Sequence, residues 1–281
     1  MNKLSNKVIL QVATTGSSTT RAHCPGLPLT PEEIANETYE CWKLGASVVH
    51  LHVRDDEGKA TMDYEKFRQA MKLIRQRCDI VINMTTAGGF GVSNEDRIRP
   101  VELMPEMATM DAGSMNVEDD FVFHNSLKFL RDLGTKTKEL HIKPEIEVMD
   151  TGMVYTAKQL IDEGYIDVPP HFQIVLGMKN GMAATVDNLV YIKNLLPEGS
   201  SWSAFGVGKA HLPILLSCLA LNANVRVGLE DNVYLSGGVK AKNNMDFVVR
   251  TKHIIEELGK QIATPEETRK ILGLQDYSKI Y

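Results

Sequence analysis

SVVHLHVRDDEGKATMDYEKFRQAMKLIRQRCDIVINMTT, residues 47–86, contains one complete folding unit. SVVHLHVR (47–54) and DIVINMTT (79–86) are short, nearly continuous apolar runs that end in polar residues. Such runs suit strands buried on both faces of a parallel sheet. Residues 64–77 between them read as a helix. A strand, a crossover helix and a second parallel strand follow each other within 40 residues.

The same alternation extends in both directions. Apolar runs recur at 7–14, 107–113, 143–149, 172–177, 202–208 and 224–231, which makes eight predicted strands. Helices are predicted over 30–44, 64–77, 119–133, 156–163, 186–195, 209–221 and 243–258. Thr30-Pro31-Glu32-Glu33 supplies an N-cap, a proline at the first helical position and acids in the first turn; Gly45 is the stop. Thr264-Pro265-Glu266-Glu267 repeats that start before a last helix ending at Leu272. No repeat, low-complexity stretch or linker divides the chain. Eight strand-then-helix units predict a single (β/α)₈ TIM barrel domain over 1–281 with a C-terminal helical tail. A doubly wound open sheet is the alternative. In both folds the active site lies at the carboxyl ends of the strands.

Composition narrows the function. The 281 residues are 43% hydrophobic and 24% charged with a net charge of −5, so a large core is expected and no basic footprint for nucleic acid. The four cysteines form no CxxC pair, and reduced thiols are expected. No apolar run is long enough for a membrane span or a signal peptide. The expected location is the cytoplasm.

The polar residues at strand ends carry the chemistry. His50 and His52 are two apart on strand two, so both imidazoles face one space. Arg54-Asp55-Asp56 marks the catalytic end of that strand. On strand eight Arg226, Gly228 and Glu230 share a face, and Gly228 removes bulk between them. In a closed barrel strand eight adjoins strand one, so Glu230 can lie across from the two histidines. Two histidines and one glutamate leave open positions, as in a catalytic zinc site. The plainer alternatives are two core histidines and an Arg226–Glu230 ion pair that only orders its strand. Asp231 is expected at the strand mouth, where a nearby arginine would lower its pKa. It can act as a base where a metal has acidified the substrate proton. Thr14–Ser18, Thr85–Gly89 and Asp111–Asn116 end other strands, and Glu145 and Glu147 lie on strand five. Gly206-Val207-Gly208 is only part of a dinucleotide fingerprint, because His211 stands where its third glycine belongs. Phosphate binding at that helix start stays open.

Several of these motifs occur together in one known family. TTGSSTTRAHCPGLPLTPEEIA, GASVVHLHVRDDEGK, PEMATMDAGSMN, KPEIEVMDTGMV, FQIVLGMKNGM, SAFGVGKAHLP, VRVGLEDNVY and ATPEETRKILGL, in order between residues 7 and 274, resemble the β-keto acid cleavage enzymes. The resemblance implies a (β/α)₈ barrel, a homotetramer and a bound Zn²⁺. It implies His50, His52 and Glu230 as zinc ligands and Asp231 as base with Arg226 held against it. Thr85 and Thr109 correspond to hydroxyl residues near the substrate. The implied reaction is a reverse-Claisen-type exchange in which a β-keto acid and acetyl-CoA, or another acyl-CoA, give acetoacetate or its CoA ester and a new acyl-CoA. No redox cofactor is required.

Two positions depart from the family. Relatives that take a cationic acid have a TGxE turn whose glutamate meets the substrate's ammonium; here the turn is TGSS, with Ser18 at that place. A serine supplies no countercharge, which favours a neutral or anionic β-keto acid. Asp111 stands where many relatives have asparagine, and facing the pocket it would restore a negative charge. Two other functions compete. One is a barrel aldolase or hydrolase that needs no CoA. The other is a binding protein on a decayed barrel, which the intact His50, His52, Arg226, Glu230 and Asp231 argue against.

Overall fold

The computed structural model describes all residues except 1–3, 5, 90, 119, 120, 280 and 281. Eight parallel strands close into a barrel. They are β1 (Leu10–Ala13), β2 (Val48–Leu51), β3 (Val81–Met84), β4 (Met107–Asp111), β5 (Lys143–Val148), β6 (His171–Leu176), β7 (Ser201–Gly206) and β8 (Asn224–Val227). β8 returns to β1 with Val225 opposite Leu10 and Val227 opposite Val12, so the barrel has no free edge. The open-sheet alternative is excluded.

The strand-connecting helices are α1 (Pro31–Lys43), α2 (Tyr64–Arg75), α3 (Leu127–Glu139), α4 (Thr151–Asp162), α5 (Val186–Leu195), α6 (His211–Ala220) and α7 (Asn244–Glu257). The tail helix is α8 (Pro265–Leu272). Both Thr-Pro-Glu-Glu starts form full capping boxes: Glu33 N–H bonds Thr30 Oγ1 at 3.2 Å, and Thr30 N–H bonds Glu33 Oε2 at 3.0 Å. Thr264 and Glu267 do the same at α8.

Two stretches differ from the sequence reading. The gap between β3 and β4, where the sequence reading gave no helix bounds, carries the short helix Asn94–Ile98 and a 3₁₀ turn, Arg99–Leu103. The helix predicted over 119–133 is instead an antiparallel hairpin, Met115–Glu118 with Phe121–Phe123, followed by α3; residues 119 and 120 lie outside the described residues. The pairing sets Met115 opposite Phe123 and Asn116 opposite Val122. Ser126, whose Oγ accepts the Phe129 N–H at 3.2 Å, is the true N-cap.

The outer faces of the strands pack on the helices in one large apolar cluster. The amino-terminal mouth is plugged by Ile9, Val48, Val81, Met107, Ala263 and Leu272. The plug places the open end, and any site, at the carboxyl ends of the strands. Midway up the barrel a polar layer fills the interior: Glu145 Oε1 accepts from Gln11 Nε2 (3.1 Å) and Asn83 Nδ2 (2.6 Å). His171 Nε2 stands 3.6 Å from Glu145 Oε2. Burial opposes ionisation of Glu145, but His171 and the Arg226 charge hold its carboxyl below the usual range. The layer is a hydrogen-bonded floor beneath the site. Among the described residues no helix is long and apolar enough to cross a membrane. All four cysteines are free.

Candidate active site

The expected strand over 47–54 is divided. Val48–Leu51 belongs to the barrel, His52 lies just past it, and Val53–Arg54 pairs with Ala60–Thr61 in a small hairpin. The two imidazoles still face one place. Their Nε2 atoms lie 3.4 Å (His50) and 3.6 Å (His52) from the same Glu230 oxygen, Oε1. The rings meet edge-on with centroids 4.9 Å apart.

Glu230 arrives by a route that strand parity does not describe. β8 stops at Val227, and Gly228 turns the chain with φ +148°. Its role is close approach rather than removal of bulk between two side chains: a Cβ there would stand 2.1 Å from Ala13 O. The turn returns Asp231 and Asn232 N–H to Gly228 O, both at 3.2 Å. Glu230 and Asp231 thereby fold over the end of β8. Gly16 (φ +64°) admits Glu230 from the β1 side, since a Cβ there would stand 2.5 Å from Glu230 Cγ.

Arg226 joins the acids. Its Nη2 donates to Glu230 Oε1 (2.6 Å) and Asp231 Oδ1 (2.9 Å), its Nε to Asp231 Oδ2 (3.1 Å) and its Nη1 to Glu147 Oε1 (3.2 Å). The guanidinium is stacked 4.4 Å above the Phe205 ring. One cation thus orients three carboxylates.

Protonation follows from depth and charge. Burial pushes His52 down to about 3, reinforced by His50, Arg226 and Arg54, so its imidazole is neutral near pH 7. Burial works against ionised Glu230, but His50, Arg226 and His52 together hold it well below the usual range. Asp231 departs from the sequence expectation. Burial outweighs the attraction of Arg226 and raises its carboxyl to about 6. Burial and the nearby Asp111 raise Glu147 well above the ordinary value.

A neutral imidazole and an ionised carboxylate are the protonation states a metal requires. His50, His52 and Glu230 offer ligand atoms all within 4.8 Å of one another, the one such group among the described residues. His50 Nδ1 and Glu230 Oε2 are buried with no hydrogen-bond partner. The donor set, two nitrogens and an oxygen with spare lone pairs, fits a borderline dication such as zinc.

The other predicted residues are placed unevenly. Asp111 is buried beside Glu147 and hydrogen-bonds to it; its Oδ2 has no partner. Burial raises its carboxyl, against the Arg97 charge. Thr85, just past β3, and Thr109, on β4, are buried with hydroxyls committed to backbone: Thr85 Oγ1 accepts the Ala87 N–H (3.0 Å) and Thr109 Oγ1 the Thr86 N–H (3.1 Å). Ser18 is exposed on the turn after Gly16. The sequence reading assigned no contacts to three residues, Arg97, Glu147 on strand five and Arg54, which it named only as marking the end of strand two. Glu147 is the third acid on Arg226. Arg97 donates to Thr86 O (2.7 Å) and Asn125 Oδ1 (2.6 Å) behind Asp111. Arg54 donates to Gly16 O (2.8 Å), Thr19 O (2.9 Å) and Gly58 O (2.8 Å), pinning the loop above the site. Glu147 had a signal, since it points inward near the end of β5; Arg54 is four residues from Gly58 but 38 from Gly16 and 35 from Thr19, and Arg97 is 11 from Thr86 and 28 from Asn125.

The model of the beta-keto acid cleavage enzyme family matches residues 7–274. The chain belongs to this family. A 3-keto-5-aminohexanoate cleavage enzyme from Fusobacterium nucleatum is 41% identical over 273 residues, covering 97% of this chain and 100% of its own. A 3-dehydrocarnitine:acetyl-CoA trimethylamine transferase from Rhizobium meliloti is 33% identical, covering 96% of this chain and 98% of its own. The solved apo structure of ObcA superposes with a TM-score of 0.80 at 19% identity, over 89% of this chain and 66% of that longer one, a likeness of fold. This β-keto acid cleavage enzyme therefore carries its polar cluster where the fold is open.

Proposed function

We propose that this enzyme exchanges acyl groups between a β-keto acid, R–CO–CH₂–COO⁻, and acetyl-CoA, giving acetoacetate and R–CO–S-CoA. The observation that carries the reading is the convergence of His50, His52 and Glu230 with Arg226 and Asp231 at one mouth of the barrel. His50, His52 and Glu230 would hold Zn²⁺, which when bound supplies a Lewis acid that acidifies the α-carbon of a keto acid. Asp231 removes the α-proton. A carboxyl near 6 is a stronger base than an exposed aspartate and is still ionised at neutral pH. Arg226 grips both Asp231 oxygens and fixes their direction. The carbanion attacks the thioester carbonyl and expels the CoA thiolate. The thiolate attacks the distal ketone, the carbon–carbon bond breaks, and Asp231 returns its proton to the departing carbanion. Atoms and protons balance with no redox step. Arg226 stabilises negative charge developing on oxygen, and Glu147 holds its guanidinium in place.

Thr85, Thr109, Asp111 and Ser18 line the approach of the keto acid in this reading. Ser18 carries no charge. Asp111 shares a hydrogen bond with Glu147 and faces Arg97, so it has little negative charge to spare for an ammonium group. Both features favour a β-keto acid with a neutral tail. The second reading, cleavage of 3-keto-5-aminohexanoate itself, is favoured by the name of the relative at 41% identity. The enzyme acts as one barrel domain over 1–281, in the cytoplasm and as a homotetramer. The free cysteines fit that location, and exposed Tyr155, Tyr191 and Leu216 on successive barrel helices fit an oligomer.

The test offers zinc-loaded enzyme acetyl-CoA with 3-keto-5-aminohexanoate, dehydrocarnitine, β-ketohexanoate and β-ketoadipate, and reads product CoA esters by mass spectrometry. Turnover of β-ketohexanoate above the cationic acids is expected. Turnover of 3-keto-5-aminohexanoate above the other three acids establishes the second reading. No CoA ester from any acid overturns both and leaves a CoA-independent metalloenzyme.

A further inference from the structure

Next to the site lies a second polar cluster that the mechanism does not use. β7 ends at Gly206, the 3₁₀ turn Gly208–Ala210 follows, and α6 begins at His211 without a side-chain cap. Gly208 N–H donates to Asp231 O at 3.1 Å, so this turn abuts the proposed base. Its far side packs on the hairpin formed by Tyr234–Ser236 and Val239–Lys240. Arg250 of α7 reaches under that hairpin, and its Nη1 donates to Leu235 O.

The unmet donors are the informative feature. Arg250 Nε and Nη2 are buried with no hydrogen-bond partner, and among the described residues no carboxylate pairs with this arginine. His211 is 2% exposed, and neither ring nitrogen has a partner. Both side chains lie against the Phe247 ring, His211 edge-on at 5.4 Å between centroids and Arg250 Cζ at 5.6 Å. A sheltered guanidinium without a counter-ion, next to an unpartnered imidazole, is costly unless an anion completes it. Nε–H and Nη2–H form the parallel fork that suits two oxygens of a phosphate. Burial keeps His211 neutral near pH 7, with its pKa pushed down to about 4, so the imidazole has one N–H to give.

We infer that the space between the Gly208–His211 turn and Arg250 seats a phosphate group of the acyl-CoA co-substrate. The inference rests on the proposed use of acetyl-CoA and adds where that molecule is held. The phosphates anchor at Arg250 and His211, and the pantetheine arm runs past Gly208 to bring the thioester to Asp231. Loops after the seventh and eighth strands are a recurrent phosphate site in barrels of this kind.

The experiment compares acetyl-CoA with S-acetylpantetheine, which has the same thioester and no phosphate. The wild type is expected to favour acetyl-CoA in kcat/KM. Arg250→Met is expected to raise the KM for acetyl-CoA roughly tenfold or more, to shrink that preference by the same factor and to leave the KM of the keto acid in place. Arg250→Lys, which retains charge but not the fork, is expected to fall between. A preference unchanged in Arg250→Met, with acetyl-CoA still used, overturns the inference alone. A wild type that transfers nothing from acetyl-CoA overturns the functional reading and the inference with it. Inorganic pyrophosphate gives a second measurement that needs no variant. Competition with acetyl-CoA is expected, whereas inhibition that leaves the KM for acetyl-CoA unchanged means a separate free-phosphate site and also overturns the inference.

Discussion

Glu106 below the barrel and Glu230 at its mouth are both arginine-bound carboxylates, yet their surroundings are opposite in sign. Glu106 is fully buried between two guanidinium groups: Arg75 Nη2 and the Ile82 N–H (3.1 Å) serve Oε2, and Arg269 Nη2 (2.7 Å) serves Oε1. Each arginine also binds a carbonyl, Ile80 O at 2.6 Å and Asp79 O at 2.7 Å. Neither Glu106 oxygen is left over. At the mouth one guanidinium serves Glu147, Glu230 and Asp231, while Glu230 Oε2 and His50 Nδ1 have no partner. The lower cluster saturates its carboxylate, leaves the Nε–H donors of Arg75 and Arg269 without a hydrogen bond, and ties α2, β3 and α8 together. The upper one has surplus negative charge and unused lone pairs, an arrangement completed by a cation and a substrate. The difference teaches that an ion cluster is read by its remainder rather than its size.

The largest effect expected to sharpen this contrast is on turnover. Asp231→Asn should lower kcat about a thousandfold while metal content and thermal midpoint hold, because Arg226 retains two other acids. A fall in midpoint without a fall in kcat would make the upper cluster structural. Glu106→Gln should do the reverse. It leaves the buried Arg75 guanidinium facing no charge and Arg269 only the exposed Asp276, at 3.5 Å, costs about 3–5 kcal/mol and lowers the midpoint by roughly 10 °C, with kcat per folded molecule intact.

A third site lies between these extremes. Burial depresses the folded pKa of His211 to about 4 from the ordinary 6.5. Protonation therefore favours the unfolded chain. Its contribution is complete above pH 6.5 and is lost as pH falls toward 4, by up to about 3 kcal/mol. Urea titrations in phosphate-free buffer should show that slope, and His211→Phe should remove its share. Metal removal separates the two ends directly. A chelator should lower the midpoint of the wild type and of Glu106→Gln alike, zinc should restore it, and His50→Ala should not respond. The smallest effect belongs to Ser18→Glu, which should lower the KM for a cationic keto acid about threefold to fivefold and leave a neutral one in place. An unchanged KM would mean that this turn does not meet the tail of the substrate.

The barrel was legible because each strand is a short apolar run and both Thr-Pro-Glu-Glu starts define helix ends locally. The hairpin at 115–123 was misread because a helix was extended upstream of Ser126, its actual cap. His50 and His52 follow from side-chain alternation alone. Glu230 was named for a reason that fails, since the strand ends at Val227 and the Gly228 turn does the placing. The direction of the Asp231 shift was missed because depth of burial, which outweighs Arg226, is a property of the closed barrel. Arg54 and Arg97 act on backbone carbonyls of distant loops, contacts that no local spacing encodes.

The most direct test of the upper cluster's proposed chemistry follows the carbons. Zinc-loaded enzyme would be given unlabelled β-ketohexanoate and acetyl-CoA labelled with ¹³C in both acetyl carbons, and the products read by mass spectrometry. Doubly labelled acetoacetate, with the label in its methyl and ketone carbons, and unlabelled butyryl-CoA are expected. Label in the new CoA ester, or acetoacetate formed without label, would contradict the proposed chemistry.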